Sequence, residues 1–391
     1  MSQYHVIPSA EAFSRLGGFS HVIDVRSPGE FAEDHLPGAL NWPVLDDEER
    51  RIVGTLYRQD PLEARKLGAA IVARNIANHL DAQRAVMVKH WRPLVYCWRG
   101  GQRSGAMNWF LNQIGFKSLQ LVGGYKAFRG EVIKTLAELP ARFDFIVLCG
   151  RTGSGKTRLL QALARAGAQV LDLEALARHR GSVLGALPDS PQPSQKAFDT
   201  ALWQALVGLD PSRPVFVESE SRKIGGVQMP ESLQQRLRAQ GRCVWIDMAE
   251  AGRVELLLED YAHFRAAPQA FNALIDALVA LRGRERVQRW QAMAREGEWA
   301  AVFGELMRDH YDPGYERSLT NHFPGLATAP RIALRDGSEA ETARAAAELL
   351  ALGSLARDAG EKEGVARTDQ TASSSTSNSS VACGGITPPA P

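Results

Sequence analysis

Cysteine is scarce in this 391-residue chain: Cys97, Cys149, Cys243 and Cys383 are scattered, and no two stand at metal-ligand spacing. That excludes a disulfide framework or a zinc cluster as the basis of the fold and points to a reducing compartment. A dominant charge is also lacking. With 46 Lys and Arg against 44 Asp and Glu the formal net charge is +2, so any basic surface must be a local patch. No apolar run approaches the roughly 20 residues that span a membrane. Met1-Ser2-Gln3-Tyr4-His5 has neither the charged nor the apolar region of a secretion signal. A cytoplasmic protein with no membrane partner is expected. What is present is ordinary, 45% hydrophobic and 23% charged residues, enough for two cores.

Against that background one stretch stands out, Tyr96-Cys97-Trp98-Arg99-Gly100-Gly101-Gln102-Arg103-Ser104. The apolar run Pro93-Leu94-Val95-Tyr96 predicts a buried strand, and Gly105 to Leu111 predicts the start of a helix. A cysteine between them lies in a loop of backbone N–H groups above a helix N-terminus, a setting that favours thiolate and binds anions. Arg99 and Arg103 suit the same purpose.

Around this loop, Val22–Arg26 predicts a strand, Ser27–Phe31 a turn into a helix, and His35–Pro43 an extended segment. Asp47 to Leu80 is mainly helical, with Leu67, Ala70, Ile71, Ala73, Ile76, Ala77 and Leu80 at helical spacing. Leu119–Val122 reads as another strand. Alternation of this kind predicts an α/β domain over residues 1–135 with a largely parallel sheet.

Asp24-Val25-Arg26-x-x-x-Glu30-Phe31, His35-Leu36-Pro37-Gly38-Ala39-Leu40-Asn41, the Cys97 loop and Leu121-Val122-Gly123-Gly124-Tyr125, in that order, resemble the rhodanese domain. The resemblance implies that Cys97 carries sulfur or selenium as a persulfide-type adduct, that Asp24 lies near the loop, and that His35 is structural. Sulfur-carrying rhodaneses commonly have a loop one residue shorter. Cys97-x-x-Gly100-x-x-Arg103-Ser104 has instead the length found in cysteine phosphatases, wide enough for a phosphate-sized oxyanion. Tyr96 stands where those enzymes usually have His, which speaks against a phosphatase.

A second α/β domain is expected over residues 140–352, opening with the apolar strand Arg142–Cys149. It runs into Gly150-Arg151-Thr152-Gly153-Ser154-Gly155-Lys156-Thr157 and a helical segment, the strand–loop–helix setting of a P-loop. Its glycines let backbone amides close on phosphate oxygens, Lys156 reaches the outer phosphates, and Thr157 can hold Mg²⁺. Val170–Glu174, Pro214–Glu218 and Arg242–Met248 predict further strands, with Glu218 a candidate on the Mg²⁺ side. Arg178, Arg180, Arg222 and Lys223 follow strand ends and suggest more phosphate contacts, from a ligand or an RNA backbone. From about Ala249 the pattern is helical. Arg282 to Trp290 reads as a basic, aromatic-tipped stretch able to contact tRNA, and His310–Ser318 as a ligand-side loop. Residues 357–391, including Ser373-Ser374-Ser375, read as a disordered tail.

The whole order resembles the tRNA 2-selenouridine synthase family, an N-terminal rhodanese-like α/β domain followed by a P-loop NTPase-like parallel-sheet α/β domain with helical additions. The match is carried by Cys97–Gly101, Gly150–Thr157, Asp172-Leu173-Glu174 with His179–Ser182, Glu218–Gly225 and Tyr311-Asp312-Pro313. The resemblance implies a transferase that takes tRNA with wobble 2-thiouridine as partner. It implies geranyl diphosphate and selenophosphate as co-substrates, the latter from a selenophosphate-supplying enzyme. Sulfur is first geranylated, and selenium then displaces the S-geranyl group. In that scheme the P-loop holds the diphosphate, with Lys156 and Mg²⁺ on the departing pyrophosphate. Cys97, or selenium bound in its loop with Arg99 and Arg103 as anion ligands, acts at C2. A rhodanese-type sulfurtransferase joined to an ATP-dependent kinase-like domain, a cysteine phosphatase-like enzyme, and a non-catalytic RNA-binding module are the competing readings.

Overall fold

Each apolar run named above becomes a short buried strand. The structure is a computed structural model, and it describes residues 5–352. The expected tail at 357–391 and Cys383 lie outside the described residues. Strands β1 (Val6–Ile7), β2 (His21–Asp24), β3 (Ala39–Asn41), β4 (Pro93–Tyr96) and β5 (Leu119–Leu121) form one parallel sheet in the order β1-β5-β4-β2-β3. The second sheet uses β6 (Phe145–Cys149), β7 (Gln169–Leu171) and β8 (Val215–Glu218). A small antiparallel hairpin, β9 (Lys223–Ile224) and β10 (Val227–Gln228), interrupts before β11 (Arg242–Met248) and β12 (Arg331–Leu334) complete it. Its order is β12-β11-β6-β8-β7, again parallel. Among the described residues no helix is long and apolar enough to cross a membrane.

Strand periodicity explains the layers, because neighbouring side chains leave opposite faces. Phe145, Val147 and Cys149 enter a core that continues through Leu94, Tyr96, Tyr125 and Phe128 of the first sheet and its helix. Ile146 and Leu148 enter another, under the helix Lys156–Arg165. The two sheets therefore share one core in addition to the core that each has on its other face. Phe128 meets Trp203 edge to face across it, at 5.5 Å between ring centroids.

Several sequence expectations change here. The stretch from Asp47 is two helices, Asp47–Gln59 and Pro61–Ala82, broken where Asp60 caps the second and Pro61 opens it. Its apolar stripe is mostly uncovered: Ile76 is buried, whereas Leu67 is exposed. The helix after Cys97 begins early, at Gln102, so Arg103 and Ser104 lie in its first turn. The strand expected at Val170–Glu174 ends at Leu171, and Asp172 caps a short helix, Leu173–Ala177, by accepting from the Ala175 N–H at 2.8 Å. His310–Ser318 is helical, not a loop, spanning a wide turn at Met307–Tyr311 and the helix Asp312–His322. Trp290 is no exposed tip. It is fully buried and donates from Nε1 to Glu305, while Arg289 pairs with the same carboxylate.

Candidate active sites

Register sets both sites at strand ends. Asp24 of β2 lies opposite Tyr96 of β4, so the chain leaving β2 runs beside the Cys97 loop. Leu148 of β6 lies opposite Glu218 of β8, which brings that carboxylate to the foot of the phosphate loop. Both positions follow the carboxyl ends of central parallel strands, where such sheets bind ligands.

Cys97 is buried, 3% exposed. Its Sγ accepts from the Gly101 N–H at 3.3 Å and from Ser104 Oγ at 3.1 Å, just before the helix Gln102–Ile114. Amide, hydroxyl and helix N-terminus all direct donors toward the sulfur and the loop. The loop is braced from behind. Gln120 Nε2 donates to the carbonyls of Gly100 and Gly101 and to Ser104 Oγ, and the Tyr125 N–H donates to the Cys97 carbonyl. Gly124, at φ +55°, fits so closely that a Cβ there would stand 2.2 Å from the Cys97 carbonyl oxygen.

The two arginines part company. Arg103 donates to Glu30 at 2.9 Å, and Arg50 meets the same oxygen at 3.0 Å. Burial pushes the Glu30 carboxyl up, but Arg103 and Arg50 outweigh it and hold it below its ordinary range. Arg99 is exposed beside the loop. Asp24 accepts from the buried Arg26 guanidinium at 2.6–3.0 Å, and that guanidinium stacks 3.9 Å over the Tyr125 ring. Asp24 thus supports the loop through Arg26 and Tyr125. His35 stacks on Phe31 and bonds its carbonyl, a structural position.

The phosphate loop opens on a cavity of about 560 Å³. Thr152 to Thr157 line it, and Gly153 and Gly155 take the left-handed backbone that the turn requires (φ +75° and +80°). Lys156 Nζ donates to the Gly150 and Arg151 carbonyls and lies 5.1 Å from the Tyr315 ring centroid. Arg151 reaches outward to Glu316. A buried Arg253 pins the loop from the far side, donating to the Thr152 carbonyl while gripping Asp312 with both Nη atoms. That is the physical role of the acid in Tyr311-Asp312-Pro313, which the sequence pattern alone did not disclose.

Five carboxylates line this cavity: Asp172, Glu174, Glu218, Glu220 and Asp260. Glu174 accepts from Thr157 Oγ1 at 3.1 Å, and its own N–H donates to Glu218 Oε1 at 2.8 Å. The other Glu218 oxygen is buried without a partner, as is Ser154 Oγ in the loop. Burial, reinforced by its acidic neighbours, pushes Glu218 well above the usual carboxylate range. Burial and Glu174 push Glu220 up to about 8. Burial pulls the Lys156 ammonium down, against the upward pull of Glu220 and Glu174. Among the described residues no group of three or more acidic, His or Cys side chains is placed to cage a metal. An orphaned carboxylate oxygen near a threonine hydroxyl on a phosphate loop does fit Mg²⁺ shared with a ligand's phosphates, the usual habit of that ion.

Of the flanking cations, Arg180 lines the cavity, with its guanidinium 5.2 Å from the Tyr261 ring centroid and its Nη1 on the Asp260 carbonyl. Arg178, Arg222 and Lys223 do not line it and are exposed. The sequence pattern did not disclose the apolar and aromatic part of the lining, which Val183, Leu187, Leu256, Leu257, Tyr261 and Tyr311 supply. The suspected ligand-side stretch does contribute, through Tyr311 and Tyr315.

The sites are joined by a buried contact. Asp34, in the turn before β3, accepts from Tyr125 OH at 2.7 Å and from Thr200 Oγ1 of the helix Gln195–Val207 at 3.0 Å. Arg129 reinforces it by pairing with Asp199 at 2.8 Å.

Comparison with known proteins agrees with this arrangement. The rhodanese-like domain family matches residues 10–131, and the tRNA 2-selenouridine synthase AAA domain family matches residues 143–278. The tRNA 2-selenouridine synthase of Nitrosomonas europaea is 42% identical over 245 residues, covering 61% of this chain and 63% of that protein. The one from Bdellovibrio bacteriovorus is 39% identical, covering 61% and 64%. These two alignments span a little under two thirds of each relative's length. The protein of the same name from Cupriavidus pinatubonensis is 36% identical over 332 residues, covering 75% of this chain and 87% of its own length. Both domains, in this order and with both loops in place, make the chain a member of the tRNA 2-selenouridine synthase family.

Proposed function

We propose that this chain converts wobble 2-thiouridine in tRNA to 2-selenouridine in two steps, one at each loop. The observation that carries the reading is the mixed lining of one cavity: a phosphate loop together with apolar and aromatic side chains, as an amphiphilic diphosphate requires. Geranyl diphosphate has that form. The uridine sulfur attacks C1 of the geranyl group, the C–O bond breaks, and the electron pair leaves with diphosphate. The base gives up its N3 proton and becomes a neutral S-geranyl thioether. Loop amides and Lys156 stabilise the charge that grows on the leaving diphosphate. Mg²⁺ held by Thr157 and Glu218 would supply further neutralisation of that charge.

Alkylation turns a poor leaving group into a good one, which gives the second step its driving force. Cys97 is too buried to meet a base of a folded tRNA directly, whereas a small anion seated at its loop can project outward. Selenium of selenophosphate adds at C2, and geranylthiolate departs with the electron pair of the C–S bond. Water then cleaves the P–Se bond, leaving selenium on the base and releasing phosphate. The Cys97 thiolate, the Gly101 amide and Ser104 shape the seat, and Arg99 is the exposed cation beside it.

Incubation with 2-thiouridine tRNA, geranyl diphosphate and selenophosphate, followed by mass spectrometry of the nucleosides, tests the whole scheme. S-geranyl-2-thiouridine should form without selenophosphate, and 2-selenouridine only when both co-substrates are present. Selenouridine formed without geranyl diphosphate, or tRNA-dependent ATP turnover, would favour the kinase-like reading instead.

A further inference from the structure

Arg178, Arg222 and Lys223 remain unexplained by either reaction loop. All three are exposed, and no hydrogen bond or ion pair holds their side chains among the described residues. Other surface arginines are spent on a carboxylate, as in Arg51–Glu48, Arg84–Asp81 and Arg344–Glu348. Arg99 and Lys126, beside the Cys97 loop, share the same unpaired, exposed state.

A chain of contacts connects the two groups into one strip. The turn of the β9–β10 hairpin lies against the residue after Arg178: a Cβ on Gly225 would stand 2.7 Å from the His179 ring and 2.2 Å from Gln192. Gln192 donates to the carbonyls of Ala177 and Ile224 and accepts from the Gly226 N–H. Gln195 exchanges hydrogen bonds with the Gln228 backbone. The next residues cross to the first sheet, since Ser194 bonds the Glu33 carbonyl and Lys196 pairs with the Glu33 carboxylate. Asp34 follows, and then Tyr125, whose N–H holds the Cys97 carbonyl while the neighbouring Lys126 N–H holds that of Trp98.

The strip therefore begins at the cavity mouth, where His179 and Arg180 line it, and ends at the cysteine loop. Unpaired cations stand at both ends. One of its few acids, Glu33, is neutralised by Lys196, and another, Asp34, is buried beneath. A small anion needs no such length; a polyanion that must show one residue to each loop in turn does. We infer that Arg178, Arg222, Lys223, Arg99 and Lys126 form a single phosphate track on which an RNA backbone lies across both halves of the chain. This rests on the proposed function, which requires one uridine to visit both loops.

The test is salt-dependent binding of 2-thiouridine tRNA to the full chain and to the triple variant R178E/R222E/K223E. Each lost phosphate contact lowers the slope of log affinity against log salt by about 0.7–0.9, so the expected drop is about two to three units. Affinity at 0.1 M salt should fall at least about tenfold, while binding of inorganic diphosphate to the cavity stays unchanged. The neutral variant R178Q/R222Q/K223Q should lose the same slope with a smaller loss of affinity, which separates lost contacts from repulsion. Lys134→Glu makes a like charge change about two turns along the helix Gly124–Glu138 from Lys126 and should leave the slope intact. An unchanged slope in both triple variants overturns the track but leaves the proposed function standing. Failure of the unaltered chain to bind tRNA overturns both. Loss of binding to polyglutamate, with none to tRNA, would assign the strip to an acidic protein and overturn the RNA assignment.

Discussion

The loop after β4 and the loop after β6 share a plan: buried strand, glycine-rich turn, helix N-terminus. They differ in how their polar groups are satisfied. At Cys97 the sulfur already has an amide and a hydroxyl, and the carbonyls behind it are taken by Gln120. In the phosphate loop Ser154 Oγ and one Glu218 oxygen are buried with no partner, and Lys156 turns back onto loop carbonyls. Leaving such groups unmet costs about 1–3 kcal/mol each, a cost that a bound phosphate and cation would offset. One loop is already satisfied around its own sulfur; the other leaves buried polar groups for a ligand to meet.

Substitutions can break that contrast. Replacing Cys97 by Ala removes the sulfur around which the proposed selenophosphate seat is built, and 2-selenouridine formation should fall by about 10²–10³, with S-geranylation retained. Nucleoside mass spectrometry of both products decides it; equal loss of the two would mean the loops do not divide the work. Lys156→Ala should do the reverse, lowering geranylation by about 10²–10³, the scale of one lost preorganised donor, while tRNA that already carries S-geranyl is still selenated.

Gly124→Ala probes the bracing of the first loop. The left-handed backbone costs a non-glycine residue about 1–3 kcal/mol, and here the new Cβ would also collide with the Cys97 carbonyl. Selenium transfer and the thermal midpoint should both drop while geranylation holds. Normal selenation would show that the loop tolerates displacement.

The smallest effect concerns acidity in the second site. Glu220 titrates near 8 in the folded chain, against an ordinary value of 4.5. The folded state therefore keeps a proton that the unfolded chain releases. Its contribution to stability is complete below about pH 4.5 and is lost as the pH rises through about 8. Thermal midpoints measured across that window should fall less steeply in Glu220→Gln than in the unaltered chain. Parallel curves would place the titration elsewhere.

Much of both sites was legible because their chemistry is local. Cys97–Ser104 and Gly150–Thr157 are contiguous, and a loop between a strand and a helix is written in hydrophobic periodicity and glycine spacing. Arg253 was not legible: it lies 101 residues from the Thr152 carbonyl it holds and 59 from Asp312. The apolar cavity wall was equally hidden, since Val183, Leu257 and Tyr311 come from separate segments. Trp290 misled because a basic helix with one aromatic can turn that ring inward as readily as outward.

By itself the sequence determined most of the strands, the two glycine loops and the order of the two α/β halves, since each depends on neighbours a few positions apart. Tertiary structure alone decided that the halves share one core and that Asp34 ties Tyr125 to Thr200 across it. It also decided that Arg103 serves Glu30, and that Arg178, Arg222 and Lys223 stand outside the cavity they follow in sequence. A long side chain at a strand end has several partners within reach, and only packing selects among them.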